Sequence, residues 1–160
     1  MTRRGGWAPA SRPPAVGVAV TVAVALAVAG CGGSNATSAD QLRSQAAHAC
    51  TAAKRKLDRI PPPTVPSDGA MFLRRGIAGL SPEVTALTRL HPAGELQPAF
   101  SRARTAIEQE LKALQSALKG LKAGNDAVVA IKTLQAQLVP LEKRARTAWM
   151  ELKIPACADA

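Results

Sequence analysis

Between Pro98 and Gly124 the apolar residues Phe100, Ala103, Ile107, Leu111, Leu114, Leu118 and Leu121 recur at steps of three and four. That period matches the 3.6 residues of a helical turn and places them all on one face. A strand, with its period of two, would divide them between both faces. A helix of about 25 residues is a rod of roughly 37 Å. With a single apolar stripe it is not stable alone in water, so the chain must supply other apolar faces to cover it. Glu108 and Lys112 add an i,i+4 pair in the favourable order.

Three further segments supply such faces. One starts at Ser38, with Gln41 at capping-box spacing, and carries Leu42, Ala46, Ala49, Cys50, Ala53 and Leu57 on one side. Lys54, Arg55, Lys56 and Arg59 complement the dipole at its end, and Pro61-Pro62-Pro63 stops it. The next runs from about Asp68 to Leu90 through Leu73, Ile77, Leu80, Val84 and Leu87, with a kink or a restart capped by Ser81 expected at Pro82. The last is expected to be capped by Asn125. It carries Val128, Ile131, Leu134, Leu138, Leu141, Ala145, Trp149 and Leu152, with a bend at Pro140 and a second i,i+4 pair, Glu142 and Arg146. No strand pattern competes. The expected fold is all-α, with residues 38–160 forming an antiparallel four-helix bundle joined by short connections.

Residues 1–30 read as an address. A basic stretch precedes an uncharged apolar run from Ala15 to Ala29. As a helix this run spans about 22 Å, short of the ~30 Å hydrocarbon core, which favours a secretory signal over a transmembrane anchor. Directly behind it stands Val28-Ala29-Gly30-Cys31, which resembles the bacterial lipobox. The resemblance implies cleavage before Cys31 and acylation of its thiol, palmitate included. Val28, Ala29 and Gly30 would be the recognition residues of the signal peptidase. Two or three acyl chains at ~0.8 kcal/mol per buried methylene hold a protein at a membrane. Arg3-Arg4 matches part of a twin-arginine signal, but Gly5, Gly6 and Trp7 do not continue it, so general secretion is favoured. Residues 31–37 then form a lipidated tether, polar and small.

With Cys31 assigned to lipid, Cys50 and Cys157 remain. An even pair in an exported chain reads as a disulfide, and buried free thiols are the competing reading. A zinc site is disfavoured by the lack of any C-x-x-C and by the presence of only His48 and His91 beside the cysteines. If the chain runs up and down, the end of the last helix returns to the start of the first. Cys50 lies about 18 Å along its helix, so the bridge is reachable if the tail folds back or if the first turns of that helix overhang the bundle.

The layout resembles small exported all-helical lipoproteins of high-GC actinobacteria. The likeness covers about residues 31–160. It rests on a Cys in the first helix, the turn Ile60-Pro61-Pro62-Pro63, three Leu-rich helices, and the closing Leu152-Lys153-Ile154-Pro155-Ala156-Cys157. Such proteins mostly carry no assigned activity, and the resemblance implies none here.

No nucleophile elbow, P-loop, H-E-x-x-H or dinucleotide fingerprint is present. The acids are scattered along the chain. Glu108 and Glu110, two apart on a helix, face different ways. Neither His48 nor His91 belongs to a Glu-x-x-His set, so no metal site and no cofactor is expected. Removing Arg3, Arg4 and Arg12 leaves 18 Lys and Arg against 11 Asp and Glu, a net +7. The basic clusters are Lys54-Arg55-Lys56, Arg74-Arg75, Arg102 with Arg104, and Lys143-Arg144 with Arg146. They suit solvated helix faces, or attraction to anionic lipids or wall polymers. With only Phe72, Phe100 and Trp149 as aromatics after the leader, nucleic acid is not an expected partner.

These readings converge on a cell-envelope lipoprotein, anchored by lipid on the outer face of the cell membrane, whose helical domain is non-enzymatic. The alternative is a carrier for a lipid or small hydrophobic ligand bound between the helices. It would show as a cavity lined by Leu111, Leu118, Leu134 and Leu138.

Overall fold

The computed structural model describes residues 36–159. Its regular elements are all helical: α1 (Ala39–Leu57), a 3-10 turn (Pro66–Asp68), α2 (Gly69–Thr88), α3 (Leu96–Lys122), α4 (Ala127–Glu151) and the short α5 (Pro155–Ala158). The expected leader, Cys31 and most of the expected tether lie outside the described residues. Among the described residues no helix is long and apolar enough to cross a membrane.

Local chemistry sets most helix ends. Ser38 and Gln41 close the expected capping box: the Ser38 hydroxyl accepts from the Gln41 N–H at 3.3 Å, and Gln41 Oε1 accepts from the Ser38 N–H at 3.2 Å. α3 ends on Gly124, at φ +89°. There the Gly124 N–H donates to Leu121 O and the Asn125 N–H to Gly120 O, each at 3.1 Å, which is the Schellman closure. This corrects the expected cap of α4. Asn125 is committed to ending α3, and Asp126 caps α4 instead, its Oδ1 accepting from the Val129 N–H at 2.9 Å.

Both internal prolines are absorbed. α2 runs without a restart through Pro82, and α4 runs through Pro140. Both prolines are exposed. Ser81 is not a cap; its hydroxyl donates back to the Ile77 carbonyl at 2.6 Å. Each proline removes one helical donor, and the packed faces of α2 and α4 hold the helices together across the gap.

Contacts between ends show how the helices are arranged. The start of α1 meets the end of α2, where the Thr37 N–H donates to His91 O at 2.9 Å. The start of α2 meets the end of α3, Gly69 lying against Leu121. The start of α3 meets the end of α4 through the Arg102–Glu151 ion pair. Consecutive long helices therefore run in opposite directions. The most extensive interfaces join α3 to α4, α2 to α3 and α1 to α2, and α5 packs on both α1 and α4.

The core is concentrated toward one end. Leu42, Cys50, Leu87, Phe100, Trp149, Leu152 and Ile154 are fully buried in one cluster, with the Phe100 and Trp149 rings edge to face at 6.1 Å. The expectation that every stripe residue is core fails at the other end. There Leu111, Leu114, Leu118 and Leu121 are only half-buried, and Val128 is exposed. The cause is a mismatch of length. α1 stops at Leu57, which seats midway along α2 against Gly79, where a Cβ would come within 2.8 Å of Leu57 Cδ2. Beyond that point the far halves of α3 and α4 have no α1 to cover them.

Of the two routes to the disulfide, the chain takes the folded-back tail. Lys153 takes the left-handed region at φ +60°. Its N–H donates to Met150 O and the Ile154 N–H to Trp149 O, both at 3.0 Å, a second Schellman closure made without glycine. α5 then brings Cys157 to Cys50 at disulfide-bonding distance, with Cα atoms 5.1 Å apart.

Candidate functional site

Where α1 ends, the interior opens into a cleft of about 220 Å³. Its floor and walls come from α2 (Leu80, Glu83), α3 (Ile107, Glu110, Leu114) and α4 (Leu138, Glu142, Trp149), with Leu57 of α1 and Cys157 of α5 at its edge. Three carboxylates and one guanidinium, Arg146, share this space with apolar side chains.

The acids are poorly compensated. Glu83 is only 5 % exposed, and among the described residues neither it nor Glu110 has a side-chain hydrogen bond or an ion pair within 4.0 Å. Burial pushes the Glu83 carboxyl up to about 7. Glu110 also rises to about 7, first through burial and then through the nearby negative charges of Glu142 and Glu83. Trp149 is fully buried in the same wall, and its indole N–H has no partner.

Scattered along the sequence, three of these acids line one cleft in the fold. The signal was present. Glu83 stands three after Leu80 and four before Leu87; Glu110 three after Ile107 and four before Leu114; Glu142 four after Leu138 and three before Ala145. Each occupies a stripe position of its own helix.

A pH dependence of stability follows from Glu83. Its folded carboxyl holds its proton to a higher pH than the ordinary carboxylate at 4.5. Stability is thus fully present below about pH 4.5 and lost as the pH rises through about 7. At ~1.4 kcal/mol per pH unit, the loss attributable to Glu83 is on the order of 3 kcal/mol, and Glu110 acts in the same direction. Denaturant melts at intervals across this range should show stability falling toward alkaline pH, and Glu83→Gln should flatten the profile. A profile that rises with pH, or one that Glu83→Gln leaves unchanged, would contradict this assignment.

The other sequence-derived residues are placed as follows. Cys31, the expected lipidation site, and Val28, Ala29 and Gly30, the expected recognition residues, lie outside the described residues. Cys50 and Cys157 are together. His48 and His91 are both exposed, and among the described residues no three His, Cys, Asp or Glu side chains are grouped to hold a metal. Lys54, Arg55, Lys56, Arg74 and Arg75 are exposed. Arg102, Lys143 and Arg144 line an outer groove between α3 and α4. Glu108 pairs back to Arg104 at 3.4 Å, with no pairing to Lys112 within 4.0 Å. Of Leu111, Leu118, Leu134 and Leu138, only Leu138 lines the carboxylate cleft, and Leu134 lies in a separate groove. Comparison with protein-family models, with curated proteins and with solved structures gives no match for this chain.

Proposed function

We propose that the chain is a cell-envelope lipoprotein held by acyl groups on Cys31 at the outer, extracytoplasmic face of the cell membrane, and that its helical domain works by binding and not by catalysis. The observation that carries this reading is the position of Val28-Ala29-Gly30-Cys31. It follows directly on an uncharged apolar run and precedes the Ser38 cap of the first helix by only seven residues. A lipobox needs this context: a signal before it and a folded domain after a short tether. The likeness in layout to small exported helical lipoproteins of actinobacteria supports the same reading.

On this proposal residues 38–160 are an antiparallel four-helix bundle, closed by α5 and the cysteine pair. The alternation of helix directions and the four long apolar stripes support that architecture. Its partners are the membrane, through the anchor, and anionic lipids or wall polymers, through exposed groups such as Lys54, Arg55, Arg74 and Arg75. A carrier for a lipid or hydrophobic ligand would need an apolar cavity, whereas the cleft carries three carboxylates.

Cys31→Ser tests the anchor. The variant should accumulate as an uncleaved precursor, take up no labelled palmitate and leave the lipid-anchored fraction. Normal acylation of Cys31→Ser would overturn the proposal.

A further inference from the structure

α4 turns apolar side chains outward as well as inward. Its buried residues Leu134, Ala145, Ala148 and Trp149 lie on one face. Of the six large apolar side chains exposed among the described residues, four also belong to α4. These are Val128, Val129, Val139 and Met150, each between 51 and 64 % exposed. Val128, Lys132, Val139, Lys143 and Met150 follow one another at steps of four, seven, four and seven. That spacing puts all five on one line of the helix, opposite the core. Lys132 and Lys143 are exposed too, and no acid interrupts the line. Glu142 lines the cleft on the inner side, Glu151 pairs with Arg102, and Asp126 is taken up in the N-cap. Neighbouring elements extend the pattern. Val65 and Pro66 share a groove of about 360 Å³ with Val128 and Lys132, and Arg102 of α3 shares another with Lys143 and Arg144.

We propose that this outer face of α4 lies on an anionic lipid surface, with Lys132 and Lys143 at the phosphates and Val128, Val139 and Met150 sunk between headgroups. Charge and spacing together select that partner. Two copies meeting through this face would bring like charges together. A docking helix needs an apolar residue at every third or fourth position. Here the valine and methionine positions along the line stand about 16 Å apart, so no seam is offered to one. Single apolar side chains set among cations suit the interface of a bilayer. There the lysine stems are buried while their ammonium groups stay in the headgroup layer. The line runs about 33 Å, so the contact is side-on, along the bundle. The seven residues from Cys31 to Ser38 reach up to about 24 Å, which leaves the domain free to lie in this way. The inference rests on the reading of anionic lipid as a partner and not on the acyl anchor.

The test is lysine acetylation of the full chain in nanodiscs, read by mass spectrometry, in phosphatidylcholine alone and with phosphatidylglycerol at roughly one part in three. Relative to Lys54 and Lys56 on α1, Lys132 and Lys143 should label at least ~5-fold more slowly in the anionic discs than in the neutral ones. Raised salt should remove most of that difference. The double variant Val128→Ser with Val139→Ser alters only exposed side chains, and circular dichroism checks its fold. In it the protection should fall to under about 2-fold. The same spectra show whether Cys31 carries acyl groups, so a missing anchor is told apart from a missing contact. Equal labelling in the two discs would overturn the proposal. Protection of Lys54 in place of Lys132 and Lys143 would keep the lipid partner and overturn this face. Equal protection by soluble polyphosphate in neutral discs, or protection untouched by the valine changes, would overturn lipid in favour of a polyanion.

Discussion

Separating Cys50 from Cys157, by reduction or by Cys157→Ser, should lower the stability of the domain by up to about 4–5 kcal/mol. The pair lies 107 residues apart in sequence, and freeing a loop of that length returns this much configurational entropy to the unfolded chain. Both cysteines are buried, Cys50 completely, so reduction under native conditions should also be slow and should speed up as denaturant opens the tail. Helix content should be largely kept, because α1 to α4 retain their stripes. The tail after Leu152 should become protease-sensitive, since Ile154 and α5 would lose their tie to α1. Denaturant melts with and without reductant, with circular dichroism and limited proteolysis, measure all three. A change under about 1 kcal/mol would show that the bridge does not constrain the domain.

The second large effect is expected at Trp149. It is fully buried, meets Phe100 edge to face at 6.1 Å, and stands where the core gives way to the cleft. Trp149→Ala should cost about 3–5 kcal/mol through lost burial and the cavity it leaves. Trp149→Phe should cost much less. It keeps an aromatic ring against Phe100 while removing the unpartnered indole N–H, whose burial is itself unfavourable by about 1–3 kcal/mol. Equilibrium unfolding of both variants separates the contributions. Equal losses for Ala and Phe would mean that the N–H, and not the ring, is what the site holds.

Much of the fold was legible because its signals are local. The spacing from Phe100 to Leu121 fixes a helix whatever lies around it, and Ser38 with Gln41 carries its own capping geometry. Signals that depend on a neighbour were not legible. Asn125 and Asp126 are equally good caps by type. Only the Schellman turn at Gly124, which engages the Asn125 N–H, decides that Asp126 takes the role. Lys153 gives no sign that it will turn at positive φ, yet that turn aims the tail at Cys50. The leucine stripes declared helices without declaring how far they would be covered, because coverage depends on α1 stopping at Leu57. The candidate site was hidden for a related reason. Glu83, Glu110 and Glu142 are far apart in sequence, and each is a single polar intrusion in an otherwise apolar stripe. Read one helix at a time, each is an isolated exception. Only the packing of α2, α3 and α4 makes them a group.

The cysteine pair also fixes how the domain carries mechanical load. Cys50 sits within the first helix and Cys157 almost at the chain's end. Tension applied between the two ends therefore passes through the sulfur bridge and bypasses everything between. A pull can peel the first turns of α1, as far as Cys50, and then meets a covalent stop. The α2–α3–α4 core and the cleft within it stay outside the path of the force, at rest while the first turns of α1 are drawn out.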